Sequence, residues 1–291
     1  MFVFKAAVVG AGTMGGEITQ VIAAAGIPVV LKDLTQELVD QGLERARQVT
    51  AAQLEGLVQK EKITQDDADR QRDEILRRID WSVHYDGFAD VDFVVEAVPE
   101  EMAIKQGVFA ELDEVTPGHA ILASNTSSLS ISEMAEVTLR PDKVCGFHFF
   151  IPASVMRLIE VVQGDETSEE TMQAAANFAQ AIRKTPIRCS EVPGFVVNRV
   201  LISAASEVWR VTEEEDLDAK EVDKVMTDSG AVPMGPFYLA DWSGLDTALH
   251  VAEHLRESYG DRFYVSSKMK ELVEGGDLGR KTGKGFYEHR R

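Results

Sequence analysis

Residues 4–33 read FKAAVVGAGTMGGEITQVIAAAGIPVVLKD. Residues 4–9 form a short apolar run ended by Gly10, the pattern of a strand buried on both faces. GAGTMG follows, and then a helical run to about Ala25. Gly26 and Pro28 stop that helix. Val29, Val30 and Leu31 make a second buried strand that ends at Lys32-Asp33. A glycine triplet between strand and helix has a physical reason at each place. Gly10 permits the tight turn, Gly12 lets the backbone approach a pyrophosphate, and Gly15 lets helix and strand pack closely. The backbone N–H groups that open the helix, at Thr13, Met14 and Gly15, face an anion with the positive end of the helix dipole behind them. Asp33 at the end of the second strand accepts hydrogen bonds from an adenosine ribose and repels a 2′-phosphate, which selects NAD over NADP. Lys32 is the one counter-signal, and strand alternation turns it away from Asp33. The bland alternative is a glycine turn that packs a helix and binds nothing.

Outward from that unit, strands and helices alternate. Strands are expected at 91–95, 120–123, 144–147, 158–162 and near Ile187. Helices are expected at about 101–115 and 168–182. The class is α/β, a doubly wound, mainly parallel Rossmann-type sheet. Residues 35–78 interrupt it with a charged helical pair broken near 62–64, where Thr64 caps the second helix. A pair of that length is more than a crossover needs, so it is expected to project as an arm. After Val192-Pro193-Gly194 no strand run remains, and helices are expected at about 196–211, 219–229, 236–240, 245–259 and 265–274. The expected domains are 1–190, carrying the arm at 35–78, and an all-helical 191–291. The apolarity of the second domain's helices points to a homodimer formed through it.

Composition narrows the function classes. The chain has 291 residues with 30 basic and 49 acidic side chains, a formal charge of −19. Such a surface repels nucleic acid and anionic membranes. The longest apolar stretch, residues 21–31, is too short to span a bilayer and contains Gly26 and Pro28. No secretory leader is read at the start. Cys145 and Cys189 lack metal-ligand spacing and are expected as buried thiols, in keeping with a reducing cytoplasm. His250 and His254 share a helix face, but no third ligand is near, so no metal site is expected.

Two clusters carry candidate chemistry. His148 follows one buried strand, and Glu160 sits between Ile159 and Val161 in the next. A carboxylate in such a run is costly unless it has a partner. If the two strands are neighbours, the residues meet, either as a histidine base oriented by a carboxylate or as a structural ion pair. The polar turn 124–128 follows a strand end, at the edge that lines the ligand crevice of doubly wound sheets. It offers hydroxyls to a substrate, or caps a helix beginning near Ser130. Asn198, just past the domain boundary, is a helix cap or points toward a cleft.

The stretches GAGTMGGEIT, VVEAVPE, ASNTSSLSI, GFHFF, VMRLIEVV, PGFVVNRVL, PMGPFYLADWSGLD and GRKTGKGFY cover nearly the whole chain in order. As a set they resemble the short-chain L-3-hydroxyacyl-CoA dehydrogenases, the 3-hydroxybutyryl-CoA enzymes included. The resemblance implies NAD-dependent interconversion of (S)-3-hydroxyacyl-CoA and 3-ketoacyl-CoA, with an acyl-CoA thioester as the small-molecule partner. It makes His148 the general base, Glu160 its orienting partner, and Ser127 and Asn198 the holders of the 3-oxygen. It places Ala97, Glu100, Lys105 and Ser127 beside the cofactor, and the arm over CoA, with Arg45 and Lys60 as candidates for its phosphates. Alternatives are a dehydrogenase of a non-CoA hydroxy acid, of gulonate or carnitine type, and a non-catalytic NAD-binding protein. One departure stands out. The family has Asn after the His-Phe-Phe run, whereas this chain has Ile151, which implies altered cofactor affinity or acyl preference.

Overall fold

The first strand forms where the apolar run predicts it. In a computed structural model that describes residues 2–289, β1 is Ala6–Val9 with every residue buried, and the chain turns at Gly10 into α1, Thr13–Ala24. The other strands are β2 Val29–Lys32, β3 Ile79–Ser82, β4 Phe93–Glu96, β5 Ile121–Ser124, β6 Val144–Phe149, β7 Leu158–Gln163 and β8 Thr185–Ser190. They form one sheet in the order β3-β2-β1-β4-β5-β6-β7-β8. All neighbours are parallel except β6 and β7, which run antiparallel. The strand order reverses between β1 and β4. A crevice therefore opens outside their C-terminal ends, where open α/β sheets bind ligands.

Strand β3 lies outside the sequence expectation. Of its four residues only Ser82 is buried, while Asp80 and Trp81 are exposed. An edge strand needs no apolar run, so periodicity does not reveal it. The sheet's interior is aromatic at its middle. Phe93, Phe147 and Phe178 are all buried, with ring centroids 4.4 Å (Phe93–Phe178) and 5.7 Å (Phe147–Phe178) apart. Phe178 is carried by α6, Glu169–Ala181. Each such burial contributes about 1.5–3 kcal/mol.

The charged pair is α2, Gln36–Gln59, and α3, Gln65–Leu76. Thr64 caps α3 in a reciprocal box with Asp67. The longer helix packs along one face. In α2 a single stripe from Val39 through Gly42, Leu43, Ala46 and Thr50 to Leu54 is buried. A side chain at Gly42 would strike the Ala11 carbonyl 2.7 Å away, so α2 lies directly against the start of α1. The remaining helices here are α4, Met102–Val115, and the short α5, Ile131–Ala135, which Ser130 caps.

The chain divides after Glu191 into two compact units. The second holds α7 Val197–Glu214, α8 Ala219–Asp228, α9 Pro236–Ser243, α10 Leu245–Tyr259 and α11 Ser267–Glu274. Trp209, Phe237, Leu245, Ala252 and Met269 form its core. Two buried aspartates explain much of its motif sequence. Asp223 accepts from the N–H groups of Phe237 and Tyr238 and from the Tyr287 hydroxyl. Asp241 accepts from the N–H groups of Phe286 and Tyr287 and meets His289 Nε2 at 2.8 Å. A Cβ at Gly235 or Gly285 would collide with one of these carboxylates.

No helix among the described residues is long and apolar enough to cross a membrane. Cys145 is buried, and burial pushes its thiol up to about 12. Cys189 differs from the expectation for it, being half-buried in β8, an edge strand covered on one side only. On α10, His254 is half-buried and His250 is exposed.

Candidate functional site

The glycine turn is built as its residue types require. Gly10 adopts φ 100, and a Cβ there would meet the Ala97 carbonyl oxygen at 2.5 Å. A Cβ at Gly15 would lie 1.7 Å from the Gly10 carbonyl oxygen. Both positions are closed by the protein itself. Gly12 is different: a Cβ there meets nothing within 4 Å. Its backbone is ordinary, at φ −66, and it heads α1 with no side chain capping the helix. Nothing inside the chain requires glycine at 12, so the requirement lies with a ligand that approaches the uncapped N–H groups of the first turn. A cavity of about 770 Å³ opens there, lined by Gly12, Thr13, Gln41 and Arg45 among others. These features fit a dinucleotide's pyrophosphate.

Asp33 is held beside this turn. Its carboxylate accepts from the Ala11 and Leu34 N–H groups, each at 2.6 Å. Lys32 is buried, with Nζ 4.5 Å from the centre of the Tyr85 ring. The ribose side of the pocket therefore carries a fixed carboxylate, and the neighbouring cation is turned away and packed elsewhere.

At the ends of β4 and β5 lies a hydrogen-bonded carboxylate network. Glu96, the last residue of β4, is fully buried. It accepts from Lys105 Nζ (2.8 and 3.1 Å), the Val98 N–H (2.7 Å) and the Ser124 hydroxyl (2.6 Å). Lys105 is 1% exposed, and its remaining contacts are Glu100 at 3.2 Å and the Val98 carbonyl at 3.4 Å. Lys105 thus stands at the cofactor edge with its ammonium held between Glu96 and Glu100. A buried ammonium must have all its donors satisfied, and the protein satisfies them. It acts on the surface through Glu100. Burial raises the Glu100 carboxyl, but the Lys105 charge and hydrogen bonds from Thr126 and Ser127 more than reverse this and hold it below the usual range. Oε1 of Glu100 takes the Thr126 hydroxyl (2.6 Å), the Ser127 N–H (2.9 Å) and the Ser127 hydroxyl (3.3 Å). The Ser127 proton thus points at Glu100, and its oxygen keeps lone pairs for another donor.

His148 and Glu160 are direct partners across the antiparallel β6–β7 ladder. The Nδ1–H of His148 donates to Glu160 Oε2 at 2.8 Å. Both are buried, Glu160 completely. A carboxylate only accepts, so it fixes the tautomer and leaves Nε2 as the basic nitrogen. Asn125 Oδ1 accepts from the Phe149 N–H at 2.9 Å and ties the polar turn to the end of the histidine strand. The ends of β1, β4, β5 and β6 thus bring Gly10, Ala97, Glu100, Ser127 and His148 to one edge of the sheet. Asn198 belongs to the second unit, half-buried in the first turn of α7. Ile151 is 57% exposed in the β6–β7 loop.

Several residues escaped sequence reasoning. Glu96 carried the same signal as Glu160, a carboxylate ending an apolar run. Ser124 and Thr126 were visible only as part of a polar turn. Glu17 had no signal beyond its place on a helix. It is buried, accepts from Arg45 and from the N–H and hydroxyl of Ser154, and so pins the β6–β7 loop to α1.

Comparison with known proteins accounts for both units. The family profile described as 3-hydroxyacyl-CoA dehydrogenase, NAD binding domain, matches residues 5–192, and the C-terminal domain of the same family matches residues 194–289. The chain is 39% identical over 286 residues to a probable 3-hydroxybutyryl-CoA dehydrogenase of Deinococcus radiodurans, covering 98% of this chain and 100% of that one. It is 40% identical over 286 residues to a 3-hydroxybutyryl-CoA dehydrogenase of Clostridioides difficile, covering 98% and 99%. Among solved structures, the (S)-3-hydroxybutyryl-CoA dehydrogenase from Ralstonia eutropha superposes with a TM-score of 0.90 at 37% identity over the whole of both chains.

Proposed function

This chain belongs to the 3-hydroxyacyl-CoA dehydrogenase family, and from that premise we propose which of its residues carry the reaction. The activity is NAD-dependent interconversion of 3-hydroxyacyl-CoA and 3-ketoacyl-CoA. The short-chain (S)-3-hydroxybutyryl-CoA and acetoacetyl-CoA pair is the proposed substrate, by likeness to the relatives' names. The observation that carries the assignment is the buried His148–Glu160 pair at the ligand edge of the sheet.

Nε2 of His148 takes the proton of the 3-hydroxyl. Glu160 holds Nδ1 and stabilises the imidazolium that forms. NAD, when bound, supplies the acceptor for the hydride. The N–H groups of Thr13, Met14 and Gly15 hold its pyrophosphate, Asp33 its adenosine ribose, and Ala97 and Glu100 border the nicotinamide side. Ser127 and Asn198 each hold the 3-oxygen. The second unit makes a homodimer, since Val200 and Leu201 on α7 and Leu239 on α9 leave apolar surface exposed. The cytoplasm is the proposed location, because the buried Cys145 thiol suits a reducing compartment.

Reduction of acetoacetyl-CoA by NADH tests the assignment. His148→Ala should lower kcat by about 10²–10⁴-fold and leave NAD affinity nearly unchanged. An unchanged rate removes His148 from the mechanism. Absence of acetoacetyl-CoA reduction, with turnover of a free hydroxy acid, overturns the substrate. Light scattering on an eluting peak reads the oligomeric state, and a monomer refutes the dimer.

A further inference from the structure

A second, smaller cavity of about 190 Å³ lies between α1, the middle of α2, the β6–β7 loop and the α6–β8 turn. The dehydrogenase reaction as described above does not use it. Its polar lining is Gln20, Gln53, Ser154, Arg157, Arg183 and Lys184.

Three properties of that lining point to one ligand chemistry. The first is charge. In a chain of net charge −19, three cations gather here. Among the described residues the side chains of Arg157 and Arg183 make neither an ion pair nor a hydrogen bond. Lys184 is nine-tenths buried and donates to the carbonyls of Ala153 (2.5 Å) and Met156 (2.7 Å), which leaves one of its three N–H donors. The nearby carboxylate, Glu17, is already occupied by Arg45 and Ser154. Arg157 and Arg183 are exposed and Lys184 is buried, and three like charges lining one cavity favour an anion among them.

The second property is an orphaned acceptor. Gln20 is 1% exposed, and its amide N–H donates to Gln53 Oε1 at 3.0 Å. Gln53 in turn donates to the Ser154 carbonyl at 3.2 Å. This relay leaves Gln20 Oε1 buried without a partner. A buried acceptor without a donor is costly, so a ligand that completes it must bring a hydroxyl or amine.

The third is backbone conformation. Arg183 ends α6 at φ 62, and the N–H of Lys184 bonds back to the Ala179 carbonyl at 2.8 Å. This is the left-handed helix terminus that favours glycine. A guanidinium is kept at a position where its backbone is strained, which is the direction in which strain hints at function.

We propose that this cavity binds a phosphate group that carries, or sits beside, a hydroxyl. The cations take the anionic oxygens and Gln20 Oε1 takes the proton. A phosphate with its second pKa near 6 retains such a proton in part at neutral pH. Two sources offer this chemistry: the phosphorylated end of a coenzyme A thioester, or a free phosphate or phosphate ester.

The test uses the full chain, and its first measurement does not depend on turnover. Inorganic phosphate is titrated by calorimetry, with sulfate, which has no proton to donate, as the comparison. Saturable binding that is tighter for phosphate is expected, and Arg183→Gly should weaken it about tenfold. Glycine suits the φ of residue 183, so that variant should melt no lower than the wild type, which separates lost binding from lost folding. A rise in KM for acetoacetyl-CoA in Arg183→Gly, with no rise for acetoacetyl-pantetheine, identifies the source as coenzyme A. Loss of phosphate binding with both KM values unchanged identifies a free phosphate. The proposal is overturned if the wild type binds no phosphate and neither Arg157→Ala nor Arg183→Gly changes KM for the CoA thioester. It is equally overturned if both variants bind phosphate as the wild type does. A chain that reduces no acetoacetyl-CoA yet binds phosphate through Arg183 would sink the proposed short-chain substrate and leave the phosphate site standing.

Discussion

Gly12→Ala separates binding from folding in a way no other residue of the glycine turn allows. The added methyl meets no protein atom within 4 Å, and φ −66 with ψ −168 is open to alanine. Two small effects then compete in the free protein. Alanine restricts the unfolded chain, which stabilises by about 0.4–1 kcal/mol. Alanine is also a poorer residue than glycine at a helix start, which costs up to about 1 kcal/mol. They nearly cancel, so Tm should move by no more than about 2–4 °C. The bound state is different. The methyl occupies the approach to the uncapped amides, and losing one charge-assisted hydrogen bond to a phosphate costs about 1.5–3 kcal/mol. NAD should therefore bind roughly 10–100-fold more weakly. Fluorescence titration with NADH and a melting curve read the two quantities. Gly15→Ala is the contrast: its methyl would lie 1.7 Å from a carbonyl oxygen, so folding itself should suffer. If Gly12→Ala kept NADH affinity within twofold of the wild type, a cofactor at this turn would be refuted.

Glu160→Gln should cut kcat by roughly 10²-fold or more with NAD affinity retained, because an amide can donate to Nδ1 and stabilise the wrong tautomer; a rate equal to the wild type would make the pair structural only. Ile151→Asn, at an exposed loop position, should leave stability within about 0.5 kcal/mol and tighten NAD binding about fivefold by one added hydrogen bond, and an unchanged NAD affinity and acyl profile would detach residue 151 from the site. Glu213 is raised by burial and lowered further by the hydroxyls of Ser266, Ser267 and Tyr264, for a net depression. Its contribution is thus complete above the unfolded carboxyl pKa and is lost as pH falls through the lower folded value; Glu213→Gln should lose less Tm between pH 5 and 3 than the wild type, and an equal loss in both would exclude it. The Cys145 thiol, pushed up to about 12 by burial, should resist iodoacetamide at pH 8 until the chain unfolds, as read by mass spectrometry.

The sequence made the start of the sheet legible because each residue there has a single structural use. Buried parallel strands need apolar runs and the turn needs its glycines, so 4–33 admits few other readings. The same logic found Glu160, since a carboxylate between Ile159 and Val161 demands a partner. It should have found Glu96, which follows Phe93, Val94 and Val95 in the same manner. Other features follow from tertiary packing and leave no local trace. The antiparallel turn of β7 is decided by a loop, and β3 is an exposed edge. Glu17 reads as an ordinary helical residue until Arg45 and Ser154 arrive from elsewhere in the chain. Lys105 is another such case: its spacing gives no sign that Glu96 and Glu100 will hold its ammonium.

The two aspartates of the helical unit set an order in time. Asp241 lies in α9, but the N–H groups that satisfy it come from Phe286 and Tyr287, among the last described residues. While the chain is being made, Asp241 has no such donors and α9 cannot be sealed. The sheet unit ends at Glu191, before any of these residues is made. At roughly 5–20 residues per second, synthesis of the next hundred residues gives it about 5–20 s to fold alone. The nucleotide fold therefore has time to form on the ribosome before the helical unit receives its last donors.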